Sequence, residues 1–141
     1  IKYLVHFVGD LPQPLHAGFA EDRGGNRLPV IVDGRESNLH GTWDSTIIRR
    51  LGSDEAEIAA RLNEGITADQ KKQWRKGRPR EWAWESHLLA VRVAYGSLPA
   101  GSPKRLDADY LAQAAAVGEE QLAKAGIRLA AVINQVWPLG R

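Results

Sequence analysis

The chain has 141 residues, of which 43% are hydrophobic and 26% charged, so it is long enough for one globular domain or part of one. It contains no cysteine, which excludes disulfides and cysteine-ligated zinc, and it has no apolar run long enough to span a bilayer. The net charge of +2 does not suggest a strongly basic surface that binds nucleic acid by counterion release alone.

A short helix is predicted at the start of the chain, over residues 1–10, from the spacing of its apolar residues. Pro12 and Pro14 disfavour continuation of this helix. The segment that follows, up to His16, is therefore predicted to be extended or to form a tight turn. Such a break would let the side chain of His16 reach a different point from that of His6, which lies on the helix.

A β-hairpin is predicted near residues 28–37, inside a glycine-rich loop region. The turn would be formed by Asp33 and Gly34, a pair that favours the tight turn of a hairpin. A second helix is predicted over residues 38–51, with Asn38 as its N-cap.

The rest of the chain is predicted to be helical, apart from a loop at residues 96–103. The predicted helices are residues 54–63 with Ser53 as a possible cap, residues 68–76 with Thr67 as cap, a helix from Pro79 to about Tyr95, and residues 107–136. Pro138 and Gly140 would end the last helix. The fold class is therefore mainly α, a multi-helix bundle with one small hairpin.

A pattern of histidine and aspartate in the first third of the chain predicts a metal site. The spacing H-x-x-x-D occurs twice, as His6 with Asp10 and as His40 with Asp44, and His16 lies between the two pairs. Residues four apart share a face of a helix, so each pair can direct an imidazole and a carboxylate at one point. Mixed nitrogen and oxygen ligands suit a divalent metal such as zinc. The alternative is a set of surface or hydrogen-bonded core histidines.

The residues around these histidines carry a family resemblance. They are H-F-V-G-D-L-P-Q-P-L-H at residues 6–16, D-R-G-G-N at 22–26, N-L-H-G-T-W-D-S-T-I-I at 38–48, W-A-W-E-S-H-L-L-A at 82–90 and A-G-I-R-L-A-A-V-I-N at 125–134. In these stretches the chain resembles the zinc-dependent single-strand nucleases of the S-one/P-one family, within the wider group that includes zinc phospholipase C. The resemblance implies the helical bundle of that group.

The resemblance also implies roles for the predicted ligands, in a centre of three zinc ions of which two lie close together. Asp10 matches the catalytic carboxylate that bridges the close pair, and His6 matches a ligand of one ion of that pair. The protein ligands of the separate third ion match His16, His40 and Asp44, so one complete zinc site lies within this chain.

The remaining ligands of the close pair match no segment of this chain. His87, the fourth histidine, is expected to pack or lie at the surface rather than bind metal. No capping residue precedes the helix that begins at Ile1. We therefore expect residues 1–141 to be the C-terminal portion of a single zinc nuclease domain, with the N-terminal portion missing or present as a separate chain. An isolated portion would expose apolar surface.

The activity that the resemblance implies is hydrolysis of single-stranded DNA or RNA by a secreted or periplasmic endonuclease that also has 3′-nucleotidase activity and no membrane partner. Hydroxide attack on phosphorus would give 5′-phosphorylated products. Asn26 resembles a substrate-binding position that contacts a nucleobase, and a plain turn explains it equally well. Two alternatives stay open: a zinc phospholipase C-like phosphodiesterase, and a non-catalytic helical fragment that binds at most one zinc.

Tryptophans are a further feature of the sequence. Trp43, between two predicted ligands, is expected to pack in the core. Trp74, Trp82 and Trp84 lie in or near a basic segment, where stacking on unpaired bases is one interpretation and burial beneath a solvated helix face is the other.

Overall fold

The computed structural model describes residues 1–138, and this part of the chain is mainly helical, as predicted. The α-helices are α1 (Lys2–Asp10), α2 (Leu39–Gly41), α3 (Glu55–Glu64), α4 (Ala68–Trp74), α5 (Pro79–Leu89) and α6 (Ala108–Val136). A 3₁₀ helix spans Pro14–Ala17, and π-helical segments at Thr42–Ile47 and Ala90–Tyr95 continue α2 and α5. Among the described residues, no helix is both long enough and apolar enough to cross a membrane.

Two predicted helix boundaries were wrong. The cap of α3 is Asp54, whose carboxylate accepts from two backbone N–H groups at 2.8 and 3.0 Å, so the prediction of Ser53 was wrong by one residue. Thr67 caps α4 as predicted, with a reciprocal contact from Gln70. That helix ends at Trp74 rather than at residue 76.

Two predicted α-helices change character along their length. The helices predicted over residues 38–51 and from residue 79 to 95 each begin as α and continue as π. The apolar periodicity of a sequence does not distinguish these forms, because a π segment adds only a local widening to the helix. The last helix has the predicted extent, whereas Gly140, predicted to help end it, lies outside the described residues.

The predicted hairpin is present, in a sheet of three strands. Strands β1 (Pro29–Val32) and β2 (Arg35–Asn38) pair antiparallel around Asp33 and Gly34, whose φ angles are 51° and 77°. Positive φ at both turn residues matches the right-handed twist of the strands. A third strand, β3 (Lys104–Arg105), pairs parallel with β1 and was not predicted, because two residues carry no alternating pattern.

The core lies between the hairpin, the two π segments and the first half of α6. Its buried residues are Leu15, Val30, Val32, Leu39, Trp43, Ile47, Ala90, Ala94, Leu106, Tyr110, Leu111 and Ala114. Trp43 packs in the core as predicted, and its indole N–H donates to the Tyr110 hydroxyl at 2.9 Å. That hydroxyl donates to the Ala94 carbonyl at 2.8 Å. Burial raises the pKa of Tyr110 to about 12, so the hydroxyl remains a donor.

An ion-pair cluster joins α5 to α6. Glu85 of α5 contacts Lys124 and Arg128 of α6, and both cationic side chains are at least nine-tenths buried. Burial raises the pKa of Glu85, but the hydrogen bonds and charges of the two cations outweigh it and hold the pKa below its usual value. The carboxylate is therefore ionised and compensates two buried charges.

Helix α1 exposes most of its apolar side chains. Tyr3 is 80% exposed and Phe7 64% exposed, and their rings stack with centroids 6.4 Å apart. Val8 is the residue of this helix that is buried. Helix α1 therefore presents an apolar surface to solvent.

Candidate metal centre

Three predicted ligands converge at one point of the structure. His16 lies on the 3₁₀ helix, His40 on α2 and Asp44 on its π continuation. His16 Nε2 is 3.4 Å from Asp44 Oδ1, and His40 Nε2 is 3.2 Å from Asp44 Oδ2. One potential ligand atom from each residue lies within 4.8 Å of the others. We call these three residues the metal cluster.

Local structure explains one pair of the cluster. Asn38 caps the helix as predicted, because its Oδ1 accepts the Gly41 backbone N–H at 2.7 Å. This cap fixes the start of the helix, and the residues four apart, His40 and Asp44, then share one face. His16 reaches the same point because the chain leaves α1 and turns through the 3₁₀ helix.

Both imidazole rings of the cluster are oriented through Nδ1. His40 Nδ1 is 2.7 Å from the Gly24 carbonyl, and His16 Nδ1 is 2.9 Å from both the carbonyl and the carboxylate of Asp10. A carbonyl oxygen can only accept, so each Nδ1 carries the hydrogen. Nε2 of each ring is then the potential ligand atom that faces the cluster, which is the arrangement of metal-binding histidines.

The centre of the cluster is built from acceptors. Two Nε2 lone pairs face the Asp44 carboxylate, and the two rings are stacked with centroids only 5.1 Å apart. Protonating both rings would place two like charges side by side, whereas one divalent cation would satisfy all three groups. Two ligands of a tetrahedral zinc lie about 3.3 Å apart, given zinc–ligand bonds of about 2.0 Å. The observed separations of 3.4 and 3.2 Å are of this size, with His16 facing one oxygen of the Asp44 carboxylate and His40 facing the other.

A glycine places the carbonyl that orients His40. Gly24 has φ of 63°, and a Cβ atom added there would lie 2.4 Å from the Leu15 carbonyl oxygen. No other residue type fits this combination of left-handed backbone and close approach. Gly24 therefore lies in close contact with Leu15 of the 3₁₀ helix and hydrogen bonds to His40.

Asp22 and Tyr95 hold the same loop in place through hydrogen bonds. Asp22 Oδ1 accepts the backbone N–H of Gly25 and the hydroxyl of Tyr95, each at 2.9 Å. Burial raises the pKa of Tyr95, and the hydrogen bond to Asp22 raises it further, so the hydroxyl donates at neutral pH. Sequence reasoning gave neither Asp22 nor Tyr95 a role.

Gln13 was also missed, although it contacts the cluster directly. Its Nε2 donates to Asp44 Oδ1 at 2.8 Å, and its Oε1 accepts the Leu15 backbone N–H. Gln13 thereby caps the 3₁₀ helix and orients the carboxylate. Its position, two residues before that backbone N–H and just before a proline at the helix start, is a capping signal that could have indicated it.

The first predicted pair is arranged differently from the second. Asp10 lies beside His16, with its Oδ2 2.9 Å from Nδ1. His6 is exposed on α1, and its ring lies 5.4 Å from that of Phe7. Within residues 1–138, no hydrogen bond or ion pair joins His6 to Asp10, so His6 stays outside the metal cluster.

Asn26 forms a turn contact. It is exposed, and its side-chain amide donates to the Arg23 carbonyl at 2.9 Å. This contact supports the turn interpretation, while the predicted role in substrate binding stays a prediction.

A cavity of about 420 Å³ opens beside the metal cluster, and we call it the site cavity. Its lining includes Asp10, His16, Phe19, Arg23 and His40. The cluster thus faces a space large enough for a small anionic group, with an arginine at its wall.

Comparison with known proteins places the chain in a family. A family model described as S1/P1 nuclease matches residues 1–138. Endonuclease 4 of Arabidopsis thaliana is 33% identical over 151 aligned positions, which cover 97% of this chain and 50% of that protein. Endonuclease 2 of the same plant is 34% identical, with 97% and 51% covered. Nuclease P1 of Penicillium citrinum is 31% identical, with 96% and 57% covered.

The chain spans about half the length of the curated relatives it matches. The match runs through both H-x-x-x-D pairs and through all six helices. The resemblance seen in the sequence is therefore confirmed, and the chain belongs to the S1/P1 nuclease family.

Proposed function

We propose that the metal cluster binds one zinc ion and that the protein hydrolyses phosphodiester bonds in single-stranded DNA or RNA. The observation that carries the proposal is the convergence of two histidine lone pairs on one carboxylate, at 3.4 and 3.2 Å. The names of the relatives, endonucleases and nucleases, support the same class of reaction.

Each residue at the metal cluster has a proposed role. His16, His40 and Asp44 would hold zinc, which when bound supplies a Lewis acid that stabilises charge on a phosphate or a leaving oxygen. Gln13 would keep the Asp44 carboxylate in a ligating orientation. Arg23, at the wall of the site cavity, would attract the phosphate of the substrate.

Asp10 is proposed as the carboxylate that the two zinc ions of a close pair would share, with His6 as a ligand of one of them. Its Oδ2 already orients His16, and the carboxylate is exposed, so its other oxygen is free to reach further ions. The sequence has only four histidines, and His87 Nδ1 is 2.7 Å from the Ala17 carbonyl. Further ligands would therefore come from outside these residues, such as an N-terminal portion of the same domain or a separate chain.

Family membership alone supports the remaining parts of the proposal. These are 3′-nucleotidase activity, 5′-phosphorylated products, contact of Asn26 with a nucleobase, and a secreted or periplasmic location. The names of the relatives favour the nuclease over a phospholipase C-like phosphodiesterase.

A second candidate is a chain that binds zinc without hydrolysing nucleic acid. It is favoured by one specific observation: among the described residues, a single group of three potential ligands converges. Hydrolysis by this chain alone would then be very slow.

The test is the zinc content of purified, dialysed protein by elemental mass spectrometry, together with hydrolysis of a single-stranded oligonucleotide. We expect about one zinc per chain, lost in Asp44→Ala and retained in Asp69→Ala, an exposed aspartate on α4. Zinc binding with hydrolysis, by the chain alone or after an N-terminal portion of the domain is added, supports the main proposal. Zinc binding without hydrolysis in either case supports the second candidate. A chain that takes up no zinc would refute both.

A further inference from the structure

Three aromatic side chains form a surface near the site cavity, hereafter the aromatic surface: the exposed Phe19 and Trp84, and the half-buried His87 between them. Trp84 and His87 lie one turn apart on α5, and their rings are stacked at 27° with centroids 5.2 Å apart. The ring of Phe19 meets that of His87 edge-on, at 5.8 Å and 87°. His87 therefore contacts both other rings and joins Phe19, in a loop, to Trp84 on α5.

The exposure of Trp84 is unusual for a residue with a structural role. Trp84 is 60% exposed, whereas Trp82, two residues earlier, is 5% exposed. The indole N–H of Trp82 donates to the Lys76 carbonyl at 2.9 Å, as expected for a tryptophan that packs in the protein. Trp84 leaves a large flat face in water beside two further aromatic rings, and contiguous exposed patches of this kind can mark surfaces that bind a ligand.

The aromatic surface is fixed to the segment that carries the metal cluster. His87 Nδ1 is 2.7 Å from the carbonyl of Ala17, the last residue of the 3₁₀ helix that holds His16. Phe19 packs on the ring of Tyr95, with centroids 4.9 Å apart. A ligand bound on this surface would therefore have a defined position relative to the metal cluster.

The surface is also continuous with the site cavity, since Phe19 belongs to both. Two arginines lie beside this continuous surface. Arg23 lines the site cavity, and Arg80, one turn before Trp84 on α5, lines the same surface depression as Trp84. Glu81 also lines that depression, and its carboxylate accepts the Arg78 backbone N–H at 2.7 Å.

We propose that the aromatic surface stacks on unpaired bases of the single-stranded nucleic acid whose phosphate lies at the metal cluster. This inference rests on the proposed function and names a second contact for the same substrate. Aromatic side chains stack on any base, and arginines beside them meet the backbone phosphates. The faces of paired bases are hidden inside a duplex, so such a surface selects single strands.

The test is binding of a labelled short oligothymidylate to the zinc-loaded chain, measured by fluorescence anisotropy at low salt. Trp84→Leu removes the aromatic face and keeps an apolar side chain, and we expect it to weaken binding about tenfold. Trp84→Phe retains a stacking face and should keep most of the affinity. Trp137→Leu is the matched control, because Trp137 is 49% exposed and lies just after the end of α6.

The outcomes separate this inference from the proposed function. Zinc content and the melting temperature should not change in Trp84→Leu, which excludes a folding defect. If wild type binds the oligonucleotide and Trp84→Leu binds it equally well, or no worse than Trp137→Leu, the aromatic surface has no role and the proposed function stands. If wild type does not bind the oligonucleotide, both proposals are overturned.

Discussion

The side-chain amide of Gln13 donates to Asp44 Oδ1 at 2.8 Å, across 31 residues of sequence. The oxygen of the same amide accepts the Leu15 backbone N–H at the start of the 3₁₀ helix. One side chain thus orients the carboxylate of the metal cluster and fixes the turn that leads to His16. Residues that hold metal ligands in place in this way contribute strongly to metal affinity.

Replacing Gln13 should therefore weaken zinc binding. We expect Gln13→Ala to raise the zinc dissociation constant about tenfold to a hundredfold, measured by isothermal titration calorimetry. Loss of the cap should lower the stability of the metal-free protein by about 1 kcal/mol. Gln73→Ala, at an exposed glutamine of α4, is the control and should change neither quantity. An unchanged dissociation constant beside a lower melting temperature would mean that Gln13 is only a cap.

Two glycines with similar backbone angles allow a matched test of the loop. Gly24 and Gly34 have φ of 63° and 77°, so alanine at either position costs about 1 kcal/mol of backbone strain. A Cβ at Gly24 would also lie 2.4 Å from the Leu15 carbonyl oxygen, whereas one at Gly34 would have no atom within 4 Å. We expect Gly24→Ala to lose additional stability and to weaken zinc binding, because the carbonyl that orients His40 must move.

The measurements are urea unfolding and zinc titration of both glycine variants. Gly34→Ala should bind zinc as wild type does. Equal effects of the two substitutions on zinc affinity would show that the position of the Gly24 carbonyl does not matter.

The ion-pair cluster between α5 and α6 predicts a large effect at Glu85. Glu85→Gln leaves Lys124 and Arg128, which are 9% and 5% exposed, without their shared counter-charge, and should lower the free energy of unfolding by about 3 kcal/mol. Glu120→Gln removes a 55% exposed partner of Lys124 and should cost less than about 1 kcal/mol. Urea unfolding at neutral pH compares the two variants. Similar losses would contradict a special role for Glu85.

The same cluster gives a pH dependence with a definite sign. The fold lowers the pKa of Glu85 below its ordinary value of 4.5, so its contribution to stability is present above that value and is lost as pH falls through the lowered pKa. Wild type should therefore lose more stability than Glu85→Gln on acidification through this range. Parallel curves of unfolding free energy against pH would show that Glu85 is not the group responsible.

The features predicted from the sequence are local. The pairing of His40 with Asp44, the Asn38 cap and the hairpin turn at Asp33 and Gly34 all depend on residues a few positions apart, where spacing and turn chemistry decide the structure. By contrast, β3 is too short to carry a pattern.

The contacts that were missed are separated by long stretches of sequence. Gln13 meets Asp44 across 31 residues, and Tyr95 meets Asp22 across 73. No periodicity connects such positions, because the path of the chain through the core brings them together. The sequence could therefore indicate the residues of the metal cluster but not the residues that orient them.

Zinc should stabilise the fold, because the metal cluster joins the 3₁₀ helix to α2 and its π continuation. With free zinc at about a hundred times its dissociation constant, the free energy of unfolding should rise by about 2.7 kcal/mol, and a chelator should reverse the gain. Magnesium should give no comparable gain, since it prefers oxygen ligands. His40→Ala should abolish the zinc-dependent gain. His87→Ala loses the hydrogen bond to Ala17 and should be less stable, yet it should keep the full gain. If zinc stabilises His40→Ala as much as it stabilises wild type, the zinc that matters for folding is bound elsewhere.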